Sequence, residues 1–125
     1  MSAIISDCGT YRYLLTRATG VTLFESQART VNFIMLNPST ADATADDPTI
    51  RRCIRFAMAW DYERLVVTNL FAFRATDPGD LRFAKDPIGP ENDRHIIEAA
   101  KAADQIFDLA LIALLDRSSR NNRIA

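Results

Sequence analysis

The strongest constraint on the fold is a helix start signal that lies between two apolar runs of the sequence. Asp47 precedes Pro48, and an Asp N-cap followed by proline at the first helical position is a common beginning of an α-helix. The apolar run VNFIML precedes this signal at 31–36, and LVVTNLFAF follows it at 65–73. Runs of this kind are typical of strands that are buried on both faces. The order of strand, helix and strand predicts a right-handed βαβ unit.

The predicted helix carries a clear apolar stripe. Its members recur at spacings of three and four residues and therefore lie on one face. They are Ile50, Cys53, Ile54, Ala57 and Met58. We expect this face to cover the predicted sheet.

Weaker signals on either side of this unit predict the remaining elements. Residues 11–24 predict a β-hairpin with its turn at Gly20. Residues 74–80 predict a loop, and the stretch Gly-Pro-Glu-Asn at 89–92 predicts the start of a second helix. Residues 105–115 either continue that helix or form another strand, because a short apolar run is compatible with both.

The bulk properties predict one ordinary globular domain. The chain has 125 residues, of which 48% are apolar and 25% are charged, and these values are typical of a single globular domain. The net charge of −1 gives no general attraction to nucleic acid or to an anionic membrane. We therefore predict one α/β domain over residues 1–125, a three-layer sandwich with a mainly parallel sheet that is preceded by a β-hairpin.

No segment of the sequence indicates secretion, a membrane span or a metal centre. The first residues lack a basic stretch followed by a long apolar one, and Leu109–Leu115 is too short to span a bilayer. Cys8 and Cys53 are far apart and His95 is the single histidine, so a structural zinc site is not expected. We predict a cytoplasmic protein with reduced thiols and no cofactor.

Two polar segments follow the two predicted central strands. The first is Asn37, Pro38, Ser39 and Thr40, and the second begins at Asn69 and runs through the loop after the strand. Ligands of open α/β sheets gather at the carboxyl ends of the strands. A carboxamide has both donors and an acceptor, so this pair of segments predicts a site that binds an amide-like edge such as that of a nucleobase.

Each asparagine has an alternative, structural explanation. Asn37 stands before a proline, where its side chain is equally suited to a turn. Asn69 lies in an apolar strand, where a polar side chain is costly unless it has a partner. For Asn69 that partner is either a ligand or another part of the protein.

The charged residues around the predicted helix start are further candidates. Asp42 and Asp46 carry carboxylates suited to a general base or to a magnesium ligand, although loop aspartates are often only solvated. Arg51 and Arg52 lie in the first helical turn, where an anion is also attracted by the helix N-terminus. Arg74 directly follows the second central strand and is a candidate anion contact.

The sequence resembles one family in several motifs. The motifs are YRYLLTR, FIMLNPSTADATADDPTIRRCIRFA, LVVTNLFAFRATDP and PIGPENDRHI. Together they resemble the bacterial and phage family called domain of unknown function 1643, over residues 8–104. That family carries no established activity. Residues 105–125 depart from its pattern and are expected to be a divergent or truncated end.

A more distant similarity is to the uracil-DNA glycosylases. A strand that ends in an Asn-Pro loop, a helix, and a strand with Thr-Asn near its end resemble the layout of those enzymes. The resemblance implies that Asn37 positions a hydrolytic water and that Asn69 binds a base. The flanking glycines and the later His- or Arg-bearing loop of those enzymes are absent here, so the resemblance does not extend to a complete catalytic site.

The leading hypothesis is therefore a protein that binds a nucleotide or nucleic acid at the strand carboxyl ends. Its enzymatic version is a base-releasing N-glycosidic hydrolase. The alternatives are a non-catalytic module that binds a small ligand or a protein, associated with phages or mobile elements, and an inactive truncated relic. The apolar residues 106–115 are expected to pack against a second copy if the protein is an oligomer.

Overall fold

The computed structural model describes residues 1–21 and 29–109, which form one five-stranded sheet with two α-helices. The elements in chain order are β1 (Ser2–Ile5), β2 (Arg12–Ala18), β3 (Thr30–Met35), α1 (Pro48–Ala59), β4 (Arg64–Asn69), a 3₁₀ helix (Pro78–Phe83), α2 (Asn92–Ala102) and β5 (Gln105–Asp108). The predicted α/β class is confirmed. None of the helices in the described residues is long and apolar enough to cross a membrane.

The strands lie in the order β1-β2-β4-β3-β5. Strand β3 is parallel to both β4 and β5, so the predicted strand–helix–strand unit is present as β3, α1 and β4. Strand β2, however, is antiparallel to both of its neighbours, β1 and β4. The predicted mainly parallel sheet is therefore not confirmed, because half of the strand pairings are antiparallel. A short turn is enough to join antiparallel strands such as β1 and β2, whereas parallel strands need a long crossover.

The hairpin is formed by different residues from those predicted. Its two strands are β1 and β2, with Ala3 opposite Leu15, and the turn between them has Gly9 at a positive φ of 76°. The prediction had β2 pair instead with a return strand that ends at residue 24, and residues 22–28 lie outside the described residues. At the other end of the chain, the ambiguity over residues 105–115 is partly removed, because 105–108 form β5.

Helix α1 begins where the sequence predicts. The Asp47 Oδ1 atom accepts a hydrogen bond from the backbone N–H of Ile50 at 2.9 Å, and Pro48 takes the first helical position. A side-chain N-cap of this kind stabilises a helix by about 1 kcal/mol. Along the predicted stripe Cys53 is buried, while Met58 at its end is exposed.

Helices lie on both faces of the sheet. On one face, apolar side chains of β2, β3 and β4 form the main core with those of α1. The sheet contributes Leu15, Val31, Phe33, Leu65 and Val67, and the helix contributes Ile50, Cys53 and Ala57. On the other face, Leu14 and Val66 border a cavity of about 290 Å³ together with His95 and Ala99 of α2.

Strand β4 ends at Asn69, earlier than the predicted run to residue 73. The chain then leaves the sheet and pairs with a later loop, since the N–H of Ala72 donates to the carbonyl of Ile88 at 3.0 Å. Gly89 makes this close approach possible. It has a positive φ of 93°, and a Cβ atom there would lie 3.0 Å from the ring of Tyr11, so a larger residue would be strained.

Candidate functional site

The carboxyl ends of β3 and β4 bring the two predicted polar segments together. Met35 pairs with Asn69 at the end of the two strands. Beyond the strands the chains stay side by side, because the N–H of Phe71 donates to the carbonyl of Leu36 and that of Ala75 donates to the carbonyl of Pro38. The edge of the sheet that α/β proteins commonly use for ligands therefore carries both segments.

Asn37 joins the two segments through its side chain. Its Nδ2 donates to the carbonyl oxygen of Ala75 at 2.8 Å and to that of Pro38 at 3.1 Å. Both hydrogen bonds use the amide nitrogen, so the Oδ1 atom keeps its capacity to accept. Asn37 thus has a structural role and also presents an acceptor at this edge.

Asn69 is held by its backbone and not by its side chain. Its carbonyl oxygen accepts a hydrogen bond of 2.8 Å from Nδ2 of Asn92 in α2. Its side chain is only 1% exposed, yet neither Oδ1 nor Nδ2 has a hydrogen-bond partner among the described residues. An unpaired buried polar group costs about 1–3 kcal/mol.

A small pocket of about 40 Å³ lies where these residues meet. Its wall contains Arg12, Met35, Asn37, Ser39, Asp47, Thr49, Ile50 and Asn69. Of the predicted site residues, three contribute to this wall: Asn37, Ser39 and Asn69. Polar residues such as Arg12, Asn37 and Asn69 therefore line the pocket at the end of the two strands, and Thr49 and Ile50 of the first turn of α1 line it as well.

Arg12 is a member of this wall that the sequence reasoning missed. It is the first residue of β2, and it is 2% exposed. Its Nη1 donates to the carbonyl of Ala41 at 3.0 Å, whereas its Nε has no partner among the described residues. Burial lowers the pKa of the Arg12 guanidinium to about 10, although the nearby negative charge of Asp47 acts in the opposite direction.

The antiparallel course of β2 explains why Arg12 lies here. Ala18 pairs with Arg64 at one end and Leu15 with Val67 further along, so the beginning of β2 lies beside the end of β4. The only local signal was an arginine inside the strand-like segment YRYLLTR. An arginine in such a segment does not indicate whether the strand runs parallel or antiparallel to its neighbours. It therefore does not predict where the side chain lies.

Asp46 and Asp42 lie outside this wall. The Asp46 carboxylate forms an ion pair of 2.7 Å with Nε of the buried Arg17. Asp42 Oδ1 accepts hydrogen bonds from the backbone N–H groups of Thr44 and Ala45 at 2.9 and 2.8 Å. These bonds lower the pKa of the Asp42 carboxyl below its ordinary value, so it is ionised at neutral pH.

The predicted arginines differ in how they are placed. Arg51 and Arg52 are exposed on α1, and Arg51 donates to the backbone carbonyl of Asp46 at 3.3 Å. Arg74 is half-buried and reaches the carbonyls of Ser39 and Gly9, each at 3.4 Å. These two bonds are long and therefore weak.

The loop between β3 and α1 carries the remaining predicted residues. Pro38 is buried, Thr40 is exposed, and the Ser39 hydroxyl lies 3.5 Å from that of Thr76. The loop thus presents one hydroxyl to the pocket, while its proline packs inside the protein. Within the described residues, no group of three or more histidine, cysteine or acidic side chains is arranged to hold a metal ion.

Comparison with known proteins places the chain in a family. The family described as protein of unknown function (DUF1643) matches residues 12–122. The match extends past residue 104, so the divergence expected for residues 105–125 is not confirmed. Searches of curated proteins and of solved structures find no match, and the expected similarity to uracil-DNA glycosylases is not confirmed. Because the matched region covers most of the chain, the protein belongs to the DUF1643 family of proteins of unknown function.

Proposed function

We propose that the protein binds a nucleotide or a nucleic acid whose base presents its polar edge to Asn69. The observation that carries this proposal is the buried Asn69 carboxamide, which has neither of its polar atoms paired within the described residues. A planar ligand edge with one donor and one acceptor would satisfy both atoms at once. The free energy lost by leaving them unpaired would then be recovered on binding.

The size of the pocket limits what enters it. A single water needs roughly 10–15 Å³ of such space, so a pocket of about 40 Å³ has room for the edge of a planar group and not for a whole base. The rest of the ligand would lie over the loops that begin at Asn37 and Leu70. Phosphates of such a ligand would lie within reach of Arg74 and of Arg51 and Arg52 at the start of α1, as the sequence predicts.

An enzymatic version of the proposal would release the base by hydrolysis. Asn37 would orient the water through Oδ1, and Asp42 or Asp46 would serve as the base, as in the glycosylase-like arrangement that the sequence suggests. The contacts of the two carboxylates favour a binding role, because Asp42 holds its own turn and Asp46 is paired with Arg17. We therefore place binding first and hydrolysis second.

Calorimetric titration tests the binding proposal. The probes are nucleosides, mononucleotides and short single-stranded DNA, added to the wild-type protein and to Asn69→Leu. We expect saturable binding to the wild type and a loss of roughly tenfold or more in the variant, the value of one or two hydrogen bonds. Arg55→Gln, an exposed change on α1, is the control and should bind as the wild type does. Failure of every probe to bind, or equal binding by Asn69→Leu, would exclude the proposal.

A base-release assay tests the enzymatic version separately. The substrates are single and double strands that contain uracil or hypoxanthine. If the protein binds these strands but releases no base, the function is binding alone. If base is released, Asn37→Ala should abolish release while leaving binding measurable.

We also propose a cellular location and an oligomeric state for the protein. A cytoplasmic location, where nucleotides are available, accompanies the binding proposal. An oligomer formed through residues 106–115 is also proposed, since β5 lies at an edge of the described sheet and Ile106 is 42% exposed. Residues 110–115 of this segment lie outside the described residues. Light scattering at several protein concentrations tests the proposed oligomer, and a strict monomer would remove it.

A further inference from the structure

We infer that Arg12 is a ligand-contacting residue that binds an oxyanion of the ligand, a carboxylate or phosphate oxygen, beside the group that Asn69 binds. This inference rests on the proposed function, since it concerns the same pocket. It extends that function by assigning a charge to the ligand and a role to a residue that neither the motifs nor the resemblance indicated.

The bonding of the Arg12 guanidinium carries the inference. The side chain is 2% exposed, yet it has one hydrogen bond, from Nη1 to the carbonyl of Ala41. Its Nε–H is buried and has no acceptor among the described residues, and Arg12 is one of the residues that line the pocket. Buried charges in proteins are generally paired with an opposite charge, and the ion pairs of the described residues do not include Arg12.

The nearest negative charge is already engaged. Asp47 also borders the pocket, but its Oδ1 accepts from the N–H of Ile50 and its Oδ2 accepts from the N–H of Ala41. Its charge favours the protonated guanidinium without making an ion pair with it. The guanidinium is therefore incompletely neutralised, and burial lowers its pKa to about 10.

Arg74 adds a second positive charge near the first. It bonds to the carbonyl of Ser39 while Arg12 bonds to that of Ala41, so the two side chains hold the same loop. The charge of Arg74 lowers the pKa of Arg12, as does that of Arg17, which is itself paired with Asp46. An anion placed between Arg12 and Arg74 would offset this repulsion and provide the Nε–H with an acceptor.

The volume of the pocket fixes how the anion binds. A space of about 40 Å³ holds only a few non-hydrogen atoms, so one oxygen of the anion shares it with the polar edge that Asn69 binds. A carboxylate or a phosphate would place one oxygen near the guanidinium and leave its remaining atoms outside the pocket. Both groups share the oxyanion chemistry that an arginine recognises.

Nuclear magnetic resonance of the arginine Nε–Hε groups tests the inference directly. The full-length protein is labelled with ¹⁵N-arginine and titrated with inorganic phosphate in one series and with acetate in another. We expect one Nε–Hε signal to shift saturably, and that signal to be missing from Arg12→Met. Calorimetric titration measures the affinity of each variant for the same ion, because Arg12→Met lacks the reporting signal. That affinity should fall by roughly tenfold or more in Arg12→Met and by less in Arg74→Gln, because a charge-assisted hydrogen bond is lost in the first case.

The controls separate a specific site from a general charge effect. Arg55→Gln removes an exposed positive charge from α1 and should leave the titration unchanged. Arg12→Lys keeps the charge but loses the Nε–H group, and it should bind the ion more weakly than the wild type. A non-saturable shift, or equal ion affinity in Arg12→Met and the wild type, would overturn the inference. If Arg12→Met does not fold, weaker ion binding by Arg12→Lys and Arg74→Gln than by the wild type supports the inference, and equal binding overturns it.

The outcome can be distinguished from that of the proposed function by using Asn69→Leu. Suppose that the ion shifts the Arg12 Nε–Hε signal in both the wild type and Asn69→Leu, while no nucleoside binds. The anion subsite is then supported and the base-binding proposal fails. If nucleosides bind and phosphate or acetate does not shift the Arg12 signal, the base-binding proposal stands and the anion subsite fails. A stronger response to phosphate than to acetate would identify a phosphate-bearing ligand, and the reverse would identify a carboxylate.

Discussion

Arg12 and Arg17 lie at opposite ends of β2 and both reach the segment before α1, but their bonding differs greatly. The Arg17 guanidinium is paired with Asp46 at 2.7 Å and also donates to the carbonyls of Ser2, Thr16, Asp42 and Ala45. Within the part of the chain that the structure describes, the Arg12 guanidinium donates only to the carbonyl of Ala41, and its Nε–H is unpaired. Both side chains are almost fully buried, at 2% and 1% exposure.

The difference separates Arg17, whose hydrogen bonds are structural, from Arg12, which has a donor free of the described residues. All the polar atoms that Arg17 approaches belong to the protein, so its role is to fix the loop that carries Asp42 and Asp46. The Nε–H of Arg12, which no described residue binds, is the donor that we propose for an anion. Burial of an arginine is thus no guide to its role unless its hydrogen bonds are counted.

The largest expected effect comes from removing the structural arginine. Arg17→Met leaves Asp46 without its ion partner and several carbonyls without a donor. Breaking a buried pair by removing one partner costs about 3–5 kcal/mol, and we expect a loss of free energy of unfolding near the lower end, since Asp46 is 27% exposed. Urea unfolding measures it, with Arg64→Met, an exposed change in β4, as the control. A loss below about 1 kcal/mol would show that the two arginines do not differ as described.

The second largest effect on the free energy of unfolding is expected at Asn92, and the same substitution at Asn69 provides the comparison. Asn92→Leu removes the donor to the carbonyls of Asn69 and Leu70, and we expect it to lower the free energy of unfolding by about 2–4 kcal/mol. Asn69→Leu removes two unpaired polar atoms and breaks no described hydrogen bond, so stability should stay equal or rise. Thermal unfolding followed by circular dichroism compares the two variants. Equal losses in both would contradict the unpaired state of the Asn69 side chain.

A smaller effect on the free energy of unfolding is expected for Arg12. Arg12→Met loses one hydrogen bond to the Ala41 carbonyl but also removes a buried, unpaired charge, and these two contributions oppose each other. We expect the free energy of unfolding at pH 7 to change by less than about 1 kcal/mol. Because burial lowers the pKa of Arg12 to about 10, the wild type should gain stability relative to Arg12→Met as the pH rises through 10. An unchanged difference between pH 7 and pH 11 would contradict this sign.

The smallest expected effect is on the rate at which the buried thiol of Cys53 is alkylated in the two arginine variants. Cys53 is buried under the pocket, and burial raises its pKa to about 11, whereas hydrogen bonds with Ser6 and Thr10 lower the pKa of the exposed Cys8 to about 7. Alkylation of Cys8 should therefore be half-maximal near pH 7 and level off above it, while Cys53 reacts slowly. We expect Arg17→Met to speed the alkylation of Cys53 and Arg12→Met to leave it nearly unchanged. Mass spectrometry measures both rates, and equal acceleration by the two variants would remove the contrast.

Elements with local signals were predictable from the sequence. Asp47 and Pro48 define the start of α1 because the cap is formed within three residues. The apolar run at 31–36 corresponds to β3, and the segment around 65–69 corresponds to β4. In each case the pattern depends on neighbours in the chain, and the structure follows it.

Features that depend on distant contacts were not predictable. The antiparallel pairing of β2 with β4 joins Leu15 to Val67, and the sequence of neither strand specifies it. For the same reason Arg12 was missed, although it lines the same pocket as Asn37, Ser39 and Asn69. The 3₁₀ helix at Pro78–Phe83 replaces part of the predicted loop, because short helices of this type lack a strong periodic signal.

The way Asn69 is held has a consequence for the substitutions that this position tolerates. Its backbone is fixed by the pairing of β4 with β3 and by the bond from Asn92, so the strand does not depend on which side chain stands at position 69. Residues of similar size can replace one another there while the fold is maintained by other positions. If the proposed function holds, substitutions at position 69 alter the ligand that this chain accepts while the chain still folds.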